Sequence, residues 1–230
     1  MNHPLFGILL TIFMFQLALK IQAKFKSPLL NPLLVSSILI IALLLVLDIP
    51  YSNFETGGSI IGMLIGPATV SLAIPLYENL HILKKHARLI IISILSGTLA
   101  HAITIAILAL LLNFDSTMLA TFIPKSVTTA IAVEISSSLG GIGTLTVCIV
   151  VITGIIGATF APILNKLFKF TSPFAQGIAL GVSAHAVGTS KAIELGSLQG
   201  TLSSLSLIVT GIITVAMSPI TYMIINSFIK

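Results

Sequence analysis

Lysine, glutamate and histidine stand in two polar stretches set between long apolar runs: Pro124-Lys125-Ser126-Val127-Thr128-Thr129, with Glu134 just beyond, and Ser183-Ala184-His185-Ala186-Val187-Gly188-Thr189-Ser190-Lys191. A charged side chain in hydrocarbon costs several kcal/mol, roughly 3 on insertion scales, so such groups turn toward a protein interior or a water-filled cavity. The pattern therefore predicts a polar pathway inside a membrane-embedded bundle.

Composition removes the soluble alternative. Only 7% of the 230 residues are charged and 56% are hydrophobic, with a mean hydropathy of +1.16, whereas soluble domains carry about 25% charge. The length fits about seven or eight spans of 20 to 25 residues and leaves no room for a soluble domain. The expected fold is an all-α polytopic bundle, residues 1–230 forming a single transmembrane domain with interrupted and re-entrant helices. A net charge of +5 is carried by short basic clusters beside apolar runs, which read as topology signals and not as a nucleic-acid surface. The single cysteine, Cys148, can form neither an intrachain disulfide nor a metal cluster. The first apolar run begins at Leu5 without a basic flank or a small-residue cleavage site, so it is expected to be a retained span.

Apolar runs fall near 5–22, 32–47, 58–77, 89–113, 143–168, 174–195 and 200–228, with a weaker one over 116–140. Lys20, Lys24 and Lys26 follow the first run and Lys84, Lys85 and Arg88 the third, while Asp48, Glu55 and Asp115 mark the alternate loops. The positive-inside rule then places Met1 outside. Lys166, Lys169 and Lys230 agree with it if 116–140 enters and returns on one face, which gives seven crossings plus one hairpin; eight crossings remain the alternative. A candidate internal repeat aligns Pro67-Ala68-Thr69-Val70-Ser71-Leu72-Ala73-Ile74 on Pro124-Lys125-Ser126-Val127-Thr128-Thr129-Ala130-Ile131, and transporters are often built from such repeats.

Three segments are candidates for chemistry. Gly66-Pro67 should interrupt the third apolar run, because proline lacks an amide hydrogen and obstructs the preceding turn; Thr69 and Ser71 stand ready to satisfy the freed backbone, and the segment is either a wall of the substrate path, with Thr69 a binding candidate, or a kinked packing helix. A helix opening near Pro124 would aim free N–H groups at a small carboxylate, with Lys125 adding a full charge and Ser126, Thr128 and Thr129 orienting it. Glu134 is either a proton carrier or an interfacial residue. In the third segment Gly188 suggests an unwound midpoint, with Ser183, His185, Thr189 and Lys191 around it. His185 titrates in the physiological range when unperturbed and is the second proton-coupling candidate; a hydrogen-bonded core histidine is the alternative. Lys191 can pair with Glu194 three residues on. His101 reads as a packing or helix-bridging residue. No P-loop, HExxH motif, metal spacing or GxSxG elbow is present, so no enzyme, metal or cofactor is expected.

Taken together, Asn31-Pro32-Leu33-Leu34, Pro67-Ala68-Thr69-Val70, Ala73-Ile74-Pro75-Leu76-Tyr77, the Pro124–Thr129 stretch, Gly140-Gly141 and Ser183–Ala192 resemble the LrgB/CidB family over nearly the whole chain. That family includes antiholin-like and holin-like bacterial membrane proteins and is related to plastidial glycolate/glycerate translocators. Glu134-Ile135-Ser136 and the Gly188-Thr189-Ser190-Lys191-Ala192 ending look nearer the CidB branch. Ala130 departs from the pattern, since many relatives carry proline there.

The resemblance implies a multi-pass protein of the bacterial cell membrane, with the C-terminus inside on the topology above. Two functions are implied. One is transport of glycolate, glycerate, pyruvate or lactate by alternating access, with proton coupling as an option. The other is holin/antiholin-like control of murein hydrolase activity and lysis with a small LrgA/CidA-type partner. Membrane lipid and a homo-oligomer, in its simplest form a dimer, are the remaining expected partners. Lysine and histidine at depth, on interrupted helices, favour the carrier.

Overall fold

The computed structural model describes residues 3–25, 30, 32–71 and 73–229. Met1, Lys26, Asn31 and Lys230 lie outside the described residues, as do the side chains of Thr69, Ala73, Pro75 and Leu76. The elements are all helical: α1 (Pro4–Phe25), α2 (Pro32–Val46), α3 (Tyr51–Gly62), α4 (Ile65–Ser71), α5 (Ala73–Glu78), α6 (Leu80–Leu111), α7 (Ser116–Phe122), α8 (Thr129–Ser138), α9 (Gly143–Leu167), α10 (Pro173–Leu195) and α11 (Ser197–Ile229). Among the described residues, α1, α6, α9 and α11 are long and apolar enough to cross a membrane, and α2 is a shorter apolar helix. This is fewer than the seven or eight spans expected from the apolar runs.

The chain divides into two compact units, residues 1–70 and 71–230. In the first, α1 packs on α2 and α3. Gly7 and Gly57 face each other so closely that a Cβ on either would strike backbone of the other helix, the small-residue contact that lets membrane helices approach. The break near the third apolar run falls at Met63–Leu64, between α3 and α4, and not at Gly66-Pro67. Pro67 sits in the first turn of α4, where its missing N–H is one of the unbonded ones in any case.

The second unit is organised along α11. Gly177 meets Gln199 and Gly181 meets Ser203 and Ser206, so the first part of α10 runs parallel to α11. Farther on the order reverses: the Thr189 and Ser203 hydroxyls are 2.9 Å apart, and Gly200 lies against Ile193. A straight helix would hold residues 177 and 193 about 24 Å apart, yet both reach the start of α11. Gly188 also packs on the Leu180 carbonyl and Ala184. Thus α10 is a hairpin of two arms, 173–184 and 186–195, that turns at His185, whose φ of 42° and ψ of −133° are non-helical. The run 174–195, expected as a crossing with an unwound midpoint at Gly188, instead turns back on itself at His185.

A second hairpin comes from the other end of α11. Asp115 caps α7 by accepting from Met118 N at 2.7 Å, and Ser116 donates to Asn226 near the end of α11. The chain then turns over residues 123–128 and returns in α8, where Ile131 lies at Gly211 and Glu134 to Ser138 share a groove with Val215 and Pro219. Its arms are bridged by Thr146 of α9, whose hydroxyl is 2.7 Å from Ser136 Oγ and 3.2 Å from the Thr121 carbonyl, and the Thr121 hydroxyl accepts from Ile142 N at the start of α9 at 2.9 Å. Residues 116–138 thus form a helical hairpin, the shape that a re-entrant segment requires.

Three long helices frame the hairpins. Along α9, Thr146 touches the first hairpin, Val150 the tips, and Gly154 and Gly157 the second hairpin at His185 and Ala184. Along α6, Ile90 and Ile94 pack on Ile178 and Val182, and Ile105 and Ala109 on Phe114, Leu119 and Ile225. The order of long helix then hairpin occurs twice, α6 with α7–α8 and α9 with α10, the second in the opposite direction. The octapeptide repeat does not coincide with it: Pro67 lies within a helix, whereas Pro124 lies in a turn.

The second hairpin is checked by single cysteines introduced on a Cys148→Ser background. Ser172→Cys and Gly196→Cys should react with an impermeant thiol reagent from one membrane face, and Asp115→Cys and Gly140→Cys from the other; opposite-face labelling of 172 and 196 would make α10 a crossing.

Candidate functional site

The two hairpin tips meet at the middle of α9. Val127 of the first tip packs on Val150, and His185 of the second places Nε2 3.0 Å from the Val150 carbonyl. Because a carbonyl only accepts, Nε2 of His185 donates. The returning arms, α8 and residues 186–195, both start at the tips, so both direct unbonded helix N-terminal amides toward the centre.

Beside the tips is a cavity of about 620 Å³ between α6, the first tip and the first arm of α10. Its polar lining comes from Ser93, Ser96, His101 and Thr104 of α6, Lys125 and Ser126 of the tip, and Ser183 of α10. Lys125 Nζ is 3.5 Å from Ser126 Oγ, and Ser126 Oγ is 3.3 Å from His101 Nδ1. His101 Nε2 in turn lies 2.7 Å from the Ile123 carbonyl. A cation, a hydroxyl and an imidazole thus line one face of a space that suits a small anion and its water.

The LrgB-like family model matches residues 11–224. The chain is similar to YxaC of Bacillus subtilis (40% identity, covering 87% of each chain). It is also similar to the holin-like protein CidB of Staphylococcus epidermidis (36%, covering 93% of each) and of Staphylococcus aureus (34%, covering 95% of each). The chain belongs to the LrgB-like family. No solved structure matches it.

Of the residues that the family motifs and the local chemistry singled out, Lys125, Ser126 and Ser183 line the cavity, although the Ser183 hydroxyl is turned back to the Ala179 carbonyl at 2.6 Å. Thr128 and Thr129 open α8: the helix starts at Thr129 and not near Pro124, because Lys125 N bonds Phe122 O and Val127 N bonds Pro124 O in tight turns. Pro124 does mark the interruption. Thr128 Oγ1 is buried and has no hydrogen-bond partner.

His185 is buried at the tip and does not line the cavity. Gly188 is not the break; it is the close contact between the arms, and the reversal lies three residues earlier. Thr189 donates to the His185 carbonyl at 3.0 Å and meets Ser203. Lys191 pairs with Glu194 at 2.7 Å at the base of the hairpin, away from the cavity. Glu134 lines a separate groove. Gly66, Pro67 and Thr69 belong to the first unit. His101 was legible only as a lone imidazole in an apolar run; its helix-bridging bond to the Ile123 carbonyl is present, and its place on the cavity wall is what the sequence did not disclose.

Two threonines with opposite surroundings test this network. Thr146→Val removes a buried hydroxyl placed to bond Thr121 O, Ser136 Oγ and Ile142 O, and unfolding in detergent should show a loss of about 1–3 kcal/mol. Thr128→Val removes a hydroxyl with no partner, and stability should stay within about 0.5 kcal/mol or rise.

Proposed function

We propose that this protein is a membrane carrier for small monocarboxylates of the glycolate, glycerate, pyruvate and lactate class. The observation that carries this reading is the meeting of two oppositely directed helical hairpins at Val150, with Lys125 in the adjoining cavity. Carriers place substrate where interrupted helices meet near the bilayer midplane, with helix N-termini facing anionic groups. Here the carboxylate would bind Lys125 Nζ and the Ser126 hydroxyl, close to the opening amides of α8. Alternating access would follow from moving one tip past the other.

In the same reading, α6, α9 and α11 cross the bilayer and the two hairpins enter from opposite faces. Lys84, Lys85, Arg88, Lys166, Lys169 and Lys191 then share the face where α11 begins, and Asp115 lies at the other, which makes the first face cytoplasmic. The end of α11 is outside on this count. That replaces the inside C-terminus expected when α10 was taken as a crossing, while the Lys20 and Lys24 end of α1 stays inside and its start outside.

A second reading is supported by the relatives called holin-like protein CidB: a regulator of murein hydrolase activity and lysis, acting with an LrgA/CidA-type partner or as a homo-oligomer in the lipid bilayer. Proteoliposomes separate the two. A carrier takes up labelled glycolate or pyruvate, competes with related acids and retains large dyes; a lesion-forming protein releases those dyes without selectivity. Lys125→Ala should weaken uptake about 10- to 100-fold, the value of a charge-assisted hydrogen bond, and undiminished uptake would remove Lys125 from the site.

A further inference from the structure

We propose that His101, and not His185 or Glu134, is the proton-carrying positioning residue of the carboxylate site, so that one proton binds with each anion. The inference rests on the carrier reading above.

Its basis is the direction of one short hydrogen-bond chain. The Ile123 carbonyl can only accept, so His101 Nε2, 2.7 Å away, carries hydrogen. In the neutral ring Nδ1 is then a bare acceptor, and the Ser126 hydroxyl, 3.3 Å away, donates to it. Ser126 Oγ keeps its lone pairs for Lys125 Nζ at 3.5 Å. Lys125 therefore donates to Ser126, Ser126 to His101, and His101 to Ile123. The serine hydrogen is held inside the chain, and a ligand in the cavity cannot use it.

A proton delivered from cavity water to Nδ1 reverses the middle bond. The imidazolium donates from both nitrogens, Ser126 Oγ becomes an acceptor toward the ring, and its hydroxyl hydrogen swings into the cavity. The oxygen then faces two cationic donors, which favours release of Lys125 Nζ toward the cavity as well. Two positive groups on so short a chain repel each other, and a carboxylate bound between them offsets that repulsion. Proton and carboxylate binding thus promote each other, and by linkage the effect is reciprocal. Substrate and proton together add no net charge.

The surroundings of His101 leave this exchange to Lys125. From the facing hairpin, Lys125 is the charged group linked to the ring, through Ser126. On the α11 side, Thr214, Met217, Ser218 and Thr221 share a small cavity with His101, and none of them titrates near neutrality. From α10, His185 is committed to the Val150 carbonyl and does not line the cavity. Glu134 lines the groove on the far side of α8.

The test uses full-length protein in proteoliposomes with labelled pyruvate and two assays, counterflow without a gradient and accumulation driven by an inside-alkaline gradient. His101→Gln is the informative variant, because an amide donates to Ile123 and accepts from Ser126 but takes up no proton. Counterflow should fall, because Ser126 stays donating to the amide; what remains should not change with pH, and accumulation driven by the gradient should be lost. Wild type in weakly buffered detergent solution should absorb about one proton per pyruvate bound, and His101→Gln none.

Gradient-driven accumulation by His101→Gln equal to wild type would overturn the assignment, as would wild-type counterflow with no response to the gradient. In both cases the carrier reading stands. Absence of counterflow in wild type would remove the carrier reading, and this assignment with it.

Discussion

The reversal of α10 at His185 is the constraint on which the second unit depends. A non-glycine residue with φ of 42° sits in a backbone region that costs of order 1–3 kcal/mol, so the position needs compensation from its surroundings. His185 Nε2 donates to the Val150 carbonyl at 3.0 Å, and the ring fills the space against α9 that Gly154 leaves open. Gly188 lets the arms touch, and Gly177 and Gly181 let the entering arm lie on the α11 backbone. Without the turn, α10 would be a simple crossing, α11 would run the other way, and no tip would face Lys125.

Once both hairpins turn, their polar ends are forced together. A helix end in a low-dielectric interior must find partners for its free amides and carbonyls. His101 takes the Ile123 carbonyl beyond the end of α7, and Thr189 takes the His185 carbonyl at the start of the returning arm. The opening amides of α8 remain, a few residues beyond Lys125 in the chain. That is a surplus of donors and positive potential, which supports the anion proposed for the carrier.

Much of this was legible in the sequence, unevenly so. Low charge and long apolar runs fix an all-helical membrane protein, and Pro124 with its hydroxyl-rich sequel marks the first hairpin, because proline and a run of competing side-chain donors interrupt a helix. The second hairpin was hidden, since α10 has the length of an ordinary span and its turn falls on a histidine while Gly188 is the more permissive residue nearby; its weaker apolar character, which sets it apart from α1, α6, α9 and α11, was the available signal. Pro67 misled for a related reason: proline is compatible with the first turn of a helix as well as with its end. The partnership of His101 with Ser126 joins residues 25 apart and is visible only when α6 and the tip are placed side by side. Local spacing carries no trace of it.

Three hydroxyls in the second unit stand apart from the rest. Several serines and threonines here bond a carbonyl three or four residues back, as Thr104, Ser183 and Ser218 do, whereas Thr128, Ser206 and Thr210 are buried without a partner. Thr128 is at the first tip, Ser206 faces Gly181 near the second, and Thr210 lies one turn farther along α11. Each unsatisfied hydroxyl costs about 1–3 kcal/mol, so closed tips hold a penalty that would be recovered if they parted and water or substrate entered. On the carrier reading, a contact strong enough to order the tips yet burdened with unpaired groups would suit a two-state gate, and residues that make a poor static core would make a suitable moving one.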